Sequence, residues 1–224
     1  GDSSLIPTYA IFEKVRKKTK VSLGGDGGDE NFFGYITFDA FYFATKIKKF
    51  IPSFIFKQLK KITKILPVTY SYISLSLKIR IFIENLDQKN ENLLPSWANS
   101  LDYLELKDLL KKNNTKNKIY SHSGQIFDEK KPLMRNAQNY YFKYFLPLIL
   151  QKVDQASMLN SVEHRSPFLS KKIMNFSLDG NYSKIYKVFS PKFFLKNAFY
   201  ALIPKIILKQ KKHGFAFPKY QILN

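Results

Sequence analysis

The apolar and polar positions of this chain alternate between two periods, and the helical one dominates. After a turn at Gly1 to Ser4, with Ser3 or Ser4 as N-cap, Tyr9, Phe12 and Arg16 fall on one side at helical spacing. Pro7 suits the first turn of that helix, and Lys17, Lys18 and Lys20 crowd its C-terminal end, where cations complement the helix dipole. Lys20 to Leu23 predicts a buried strand, and helix, strand and helix in this order is an α/β pattern. From Ile36 to about Leu66 the period is near 3.6, with Phe38, Phe41, Phe43, Ile47, Phe50 and Ile51 among the apolar positions, and Pro52 divides it into two helices. Val68 to Leu86 fits either period and is read as helix, and Asp87 to Asn92 as a loop. Pro95 to Leu110 predicts a helix with Pro95 in its first turn and Trp97, Leu101 and Leu104 on its core face. Lys111 to Lys118 is a solvated loop. Pro132 to Leu150 predicts a helix pair broken at Pro147, followed by helices over Ile173 to Leu178 and Lys192 to Ile203, the last ended by Pro204. The chain after the first strand is therefore predominantly helical, without internal repeats.

One stretch interrupts this pattern. The strand ends in Gly24-Gly25-Asp26-Gly27-Gly28-Asp29-Glu30, and an aromatic-rich, helix-compatible segment follows. Glycine has no Cβ, so its backbone can approach a ligand closely. Carboxylates on such a turn can share Mg²⁺ with substrate phosphates, and the N–H groups opening a helix can meet an anion. The residues therefore suit a metal–phosphate ligand. They equally suit an empty turn, since Gly-Gly and Asp-Gly pairs are ordinary turn formers. Gly24, Gly25, Gly27 and Asp29 also fit one copy of a calcium-binding repeat, which needs stacked copies and an apolar residue where Asn31 stands. No Gly-Lys-Ser/Thr closes the stretch, so it is not a P-loop, and it is not the dinucleotide Gly-x-Gly-x-x-Gly either.

Two later stretches carry candidate chemistry. Leu146 to Met158 runs into Ser161-Val162-Glu163-His164-Arg165-Ser166-Pro167-Phe168-Leu169. In a helix, Asp154, Ser157, Met158 and Ser161 share one face, with Glu163 and Arg165 just beyond. Alone, this reads best as an amphipathic helix with a terminal Glu–Arg pair. Near the end, Lys212 precedes the turn His213-Gly214-Phe215-Ala216-Phe217-Pro218, where a lysine can reach a phosphate or developing negative charge. The competing reading is one more surface lysine.

Composition narrows the alternatives. Of the 224 residues, 45% are hydrophobic, with 14 Tyr and 21 Phe, enough for a sizeable core. The absence of cysteine removes disulfides, thiolate metal sites and cysteine nucleophiles, and it suits a reducing cytoplasm. No apolar run is long enough to span a bilayer, and no basic-then-apolar leader opens the chain. The net charge of +20 invites a nucleic-acid or membrane reading. Against it, the cations are nearly all Lys, spread in small clusters, with Arg only at Arg16, Arg80, Arg135 and Arg165. Arg is the residue favoured for bidentate phosphate and base contacts.

Taken together, the three stretches resemble the synthetase half of the glutamine-dependent asparagine synthetases. That family's corner reads Ser-Gly-Asp-Gly-Gly-Asp-Glu-(Leu/Ile)-Phe-Gly-Gly-Tyr, and here Gly24 to Tyr35 stand in its place. The family's Val-Asp-Arg-x-Ser-Met-x-x-Ser-Leu-Glu-x-Arg-x-Pro-Phe-Leu-Asp corresponds to Val153 through Ser170, and its Lys-x-Gly-Phe-x-x-Pro to Lys212 through Pro218. Asp2-Ser3-Ser4 with Ile6-Pro7-Thr8-Tyr9 matches the segment before the corner. The resemblance covers the chain end to end, most loosely over Ile36 to Lys131. It implies an α/β domain of the ATP-pyrophosphatase group, that is, a partial adenine-nucleotide alpha-hydrolase-like, Rossmann-like fold. It also implies a cytoplasmic ligase using ATP and Mg²⁺. A carboxylate, aspartate or another acid such as a surface-sugar acid, attacks the α-phosphate of ATP, pyrophosphate leaves, and ammonia from glutamine displaces AMP from the acyl-adenylate. The partners it implies are these small molecules and a glutaminase domain, fused or separate. A homodimer is compatible with it.

Carried over by position, Gly24 and Gly25 would contact ATP, Asp29 would bind Mg²⁺, and Asp26 would serve adenylate formation and the entry of ammonia. Lys212 would neutralise phosphate charge. Asp154, Glu163 and Arg165 would shape the substrate pocket or the ammonia path. Gly24 replaces a serine, Asn31 an apolar residue, Phe33 a glycine, Gln155 an arginine and Ser170 an aspartate. The family's Ser-Gly-Gly-x-Asp-Ser pyrophosphate loop is not found within residues 1–224, nor is the cysteine glutaminase. The resemblance thus makes residues 1–224 the C-terminal part of a synthetase domain, not expected to form an amide alone. The departures leave a non-catalytic remnant as an alternative, and the charge leaves a basic nucleic-acid-binding module as another.

Overall fold

The computed structural model describes residues 4–63, 75–98 and 124–210, and the chain divides into two units, 1–35 with 141–224 and 36–140. In the first unit, helix α1 (Leu5–Val15) places Phe12 in a buried cluster with Ala156 and Val162, flanked by Leu5, Val15 and Val153. Strand β1 (Val21–Leu23) follows. Helix α8 (Leu146–Met158) packs on α1 and leads into strand β2 (Glu163–Arg165). The strands pair in parallel with Val21 opposite Glu163, Ser22 opposite His164 and Leu23 opposite Arg165. Among the described residues these two strands are the whole sheet.

Two expectations change here. β1 is not buried on both faces, since Val21 is 40% and Leu23 73% exposed. The stretch through Ser161 is not one helix. The chain closes α8 with a Schellman motif, in which Val162 N–H donates to the Ser157 carbonyl at 3.0 Å and Ser161 N–H to the Met158 carbonyl at 2.9 Å. Ser161 takes the left-handed conformation (φ 54°) that usually belongs to glycine. Val162 then packs beside Ala156 inside the core, which aims Glu163 to Arg165 along β1.

The glycine corner leads into helix α2 (Gly28–Asn31), one turn long, rather than into one continuous helix. Phe33 in left-handed conformation (φ 52°) separates it from the next element. α2 packs on a 3₁₀ turn (Pro167–Leu169) and on helix α9 (Lys171–Asp179). Asn31 Nδ2 donates to the Gly27 and Phe168 carbonyls at 2.8 and 2.9 Å, and Ser177 Oγ donates to the Asn31 carbonyl at 2.8 Å. Asn31, polar where the family pattern is apolar, thus ties the corner to the segment after β2. Among the described residues, helices α10 (Tyr182–Ile185), α11 (Phe193–Ala198) and α12 (Lys205–Lys209) complete the unit. The helix expected over Lys192 to Ile203 stops at Ala198, and Pro204 caps α12 at its start instead of ending a helix.

The second unit is all helical among its described residues. Helix α3 (Ile36–Phe50) buries Phe38, Phe41 and Ala44 against α6 (Asn90–Ala98) and α7 (Leu133–Tyr140). Helix α4 (Ser53–Thr63), set off by Pro52 as expected, pairs with α5 (Leu75–Glu84). α6 begins at Asn90, inside the expected loop, and Pro95 sits within it. Trp97 stacks on Phe82 with ring centroids 5.8 Å apart. The rest of that predicted helix, with Leu101 and Leu104, and the Lys111 to Lys118 loop lie outside the described residues. A five-residue π segment (Tyr141–Phe145) precedes α8, so the break falls just before Pro147, which occupies the first turn of α8. Proline offers no N–H to the carbonyl one turn back, and a widened turn is one way to absorb that loss.

Candidate functional site: a glycine corner facing a histidine

The two-residue period of the sheet decides what meets at the corner. Val21 and Leu23 point to solvent, as do Glu163 and Arg165, so the register partners Ser22 and His164 share the opposite face. Ser22 Oγ lies 2.9 Å from His164 Nδ1, and His164 Nε2 lies 2.9 Å from Asp26 Oδ2. Ser166 Oγ donates to the same Asp26 oxygen at 3.3 Å. Phe12 backs the imidazole edge-on at 5.3 Å. A carboxylate only accepts, so Nε2 is the nitrogen that donates to Asp26; with a single ring proton placed there, Nδ1 accepts from the Ser22 hydroxyl.

The glycines have separate reasons. Gly24 N–H continues the strand pairing by donating to the Arg165 carbonyl at 2.8 Å. A Cβ on Gly24 would stand 2.2 Å from His164 Nε2, so the imidazole already fills that space. Gly27 needs its glycine twice: its φ is +83°, and a Cβ would stand 2.2 Å from Leu169 Cδ2. Gly25 is exposed, and a Cβ there would meet nothing within 4 Å. Of Gly24, Gly25 and Gly27, Gly25 is the one with open space at its Cβ position.

Each carboxylate of the corner has a protein partner. Asp26 has His164 and Ser166. Asp29 Oδ1 lies 3.2 Å from Lys192 Nζ, over Gly34, where a Cβ would stand 1.8 Å from that oxygen. Glu30, 1% exposed, accepts from Tyr35 Oη at 2.7 Å. Burial and the adjacent Glu30 push the Tyr35 hydroxyl well above the usual tyrosine range. Tyr35 stacks on Tyr141 at 4.8 Å, with Phe145 edge-on at 5.4 Å. Among the described residues no three His, Cys, Asp or Glu side chains gather as a metal cage.

Of the residues named from sequence, the fold brings Gly24, Gly25, Asp26 and Asp29 to one corner and runs Glu163 and Arg165 along the strand beside it. The Glu163 and Arg165 side chains point outward and pair at 2.9 Å, and Glu163 holds the Arg165 guanidinium still more firmly charged. Asp154 is exposed on α8. Lys212 lies outside the described residues. His164, Ser166, Lys192 and Gly34 carry no such assignment from sequence. His164 stood between two flagged residues, and strand alternation is the signal that would have turned it inward.

The sequence model of the asparagine synthase family matches residues 1–222. The chain is similar to asparagine synthetase [glutamine-hydrolyzing] 1 of Bacillus subtilis (strain 168), 27% identical over 97% of this chain and 34% of the relative. It is also similar to a putative asparagine synthetase [glutamine-hydrolyzing] of Mycobacterium bovis, 25% identical over 97% of this chain and 33% of the relative. A 54-residue stretch, 23% of this chain and 10% of the relative, is 48% identical to putative asparagine synthetase [glutamine-hydrolyzing] 2 of Methanocaldococcus jannaschii. The chain spans about a third of the length of the first two. No solved structure matches it at comparable significance. With the family match running nearly end to end and the corner assembled as described, the chain belongs to the asparagine synthase family.

Proposed function

We propose that this chain is the nucleotide-corner portion of an ATP-dependent, amide-forming ligase. A carboxylate, aspartate or a related acid, attacks the α-phosphate of ATP, forming a C–O–P link as pyrophosphate leaves. Ammonia derived from glutamine then attacks the acyl carbon, the amide C–N bond forms, and AMP leaves. The observation that carries this reading is the corner itself. Gly25 presents open backbone, and Asp26, three residues from β1, is fixed by His164 and Ser166. Gly24 and Gly25 contact the nucleotide through their backbone. Asp26 is held in orientation by His164 and Ser166 beside the forming adenylate and the incoming ammonia. Arg165, with Glu163 and Asp154, belongs to the substrate or ammonia side, and Lys212 neutralises phosphate charge. The setting is cytoplasmic. No helix among the described residues is long and apolar enough to cross a membrane.

Magnesium usually takes one or two carboxylates and completes its shell with substrate phosphates and water. Asp29 fits that share in being a carboxylate partly exposed on the first turn of α2, and the ion would have to compete with Lys192, whose Nζ stands 3.2 Å from Oδ1. When bound with ATP, the ion would spread the charge of the departing pyrophosphate. Asp29→Ala in the complete protein is expected to abolish Mg²⁺-dependent adenylation, and retained activity would remove this assignment.

The open face of Gly25 gives a selective test. A Cβ added at Gly25 meets nothing within 4 Å, so the melting temperature of Gly25→Val should stay close to the wild type, while its side chain blocks approach to the backbone. ATP affinity, titrated on the complete protein, should fall about tenfold or more, the equivalent of about 1.4 kcal/mol. Unchanged ATP affinity would contradict the reading. The Asp29–Lys192 pair also favours a second one, a non-catalytic remnant whose ion pair has taken over a metal position. Absence of ATP binding in the complete protein would support that.

A further inference from the structure

We propose that His164 is a positioning residue for Asp26, and that its imidazole occupies the space a side chain at position 24 would need. The geometry carries this directly. The ideal Cβ of residue 24 and His164 Nε2 would stand 2.2 Å apart, and Cε1 only 2.3 Å, so the two side chains cannot coexist in these positions. The family pattern carries serine where Gly24 stands, and a serine hydroxyl there would share its space with this ring. The ring instead delivers a hydrogen-bond donor to Asp26 Oδ2 at 2.9 Å. Its other nitrogen is held by Ser22 Oγ at 2.9 Å from the paired strand, and Phe12 fixes the ring plane from the side. The Ser22–His164–Asp26 chain therefore sets the tautomer and the carboxylate rotamer together. Ser166 adds a weaker bond to the same oxygen, which leaves Oδ1 for the reaction.

The catalytic consequence rests on the ligase reading above; the Gly24–His164 exclusion does not. Two independent measurements on the complete protein separate them. In the first, melting temperatures are compared for Gly24→Ser, His164→Ala and the double variant. Gly24→Ser should melt well below wild type, and adding His164→Ala should raise the melting temperature again, because the obstruction is gone. A double variant melting below both single variants would overturn the exclusion. Nitrogen NMR of the imidazole should find the proton on Nε2, and a proton on Nδ1 alone would overturn the hydrogen-bond chain.

In the second, carboxylate-dependent ATP–pyrophosphate exchange is measured for His164→Gln and His164→Asn. A glutamine amide nitrogen reaches the Nε2 position and can still donate to Asp26, whereas an asparagine amide reaches only the Nδ1 position beside Ser22. His164→Gln should stay within about tenfold of wild-type kcat, and His164→Asn should lose about a hundredfold, the scale of a misplaced reacting group, with the KM for ATP little changed. Equal rates for the two would overturn the positioning role. No exchange in the wild type would contradict the ligase reading, while the melting and NMR results would still decide the pairing of His164 with Asp26.

Discussion

Phe33 holds a left-handed backbone (φ 52°) while almost fully buried beside Tyr186, with ring centroids 5.1 Å apart. A side-chain-bearing residue in that region costs about 1–2 kcal/mol, which packing of the ring must offset. Gly27 shows the opposite case. Gly27→Ala would suffer both the positive φ and the collision with Leu169, and is expected to destabilise by about 2 kcal/mol or more in chemical denaturation. Tyr35 offers a pH test. Its folded hydroxyl holds its proton well above the usual range, whereas the unfolded chain releases it near pH 10. A raised folded value means that the contribution is complete below about pH 10 and is lost as pH rises further, with a slope of at most about 1.4 kcal/mol per pH unit. Tyr35→Phe removes a donor to the buried Glu30 carboxyl and should cost about 1–3 kcal/mol at neutral pH. Denaturation between pH 9 and 11 should then fall less steeply for the variant than for the wild type. Equal slopes would place the alkaline limb elsewhere.

At the scale of elements, Ser161 is the joint on which the site depends. It ends α8 and turns the chain so that β2 can pair with β1. Ser161→Gly should keep the Schellman motif, relieve the left-handed serine and raise stability by about 0.5–1 kcal/mol, read as a higher melting temperature. The strand it leads to was not legible in the sequence for the same reason. Without a glycine or proline after Met158, the 3.6-residue pattern ran on through Ser161 with no stop signal. Prolines gave the clearest reading: Pro52 separates α3 from α4 as expected. Pro95 misled, because it lies inside α6 rather than opening a helix. The glycine corner was legible as a turn with carboxylates. Its internal partners were not, because Asp26 to His164 and Asp29 to Lys192 are separated by more than a hundred residues of chain and follow only from the parallel register and the packing after β2.

At the scale of the whole molecule, the candidate residues with described positions all belong to the unit formed by residues 1–35 and 141–224. The 36–140 unit is helical among its described residues, and its small cavity, lined by Phe41, Leu94, Phe127 and Tyr140, holds none of the candidate residues. The loosest part of the family resemblance, Ile36 to Lys131, falls entirely inside that second unit. The sequence motifs with described positions therefore concentrate in the unit that builds the corner. The net charge of +20 does not alter this picture: the cations near the corner have specific carboxylate partners, Lys192 on Asp29 and Arg165 on Glu163. The role of Asp26 at the corner is decided by ATP–pyrophosphate exchange in the complete protein, with aspartate or another carboxylic acid, comparing wild type with Asp26→Asn. Acid-dependent exchange is expected in the wild type, with a loss of about a hundredfold or more in the variant, the scale seen when one electrostatic contact to a reacting group is removed. Exchange that is undiminished in Asp26→Asn would contradict that role.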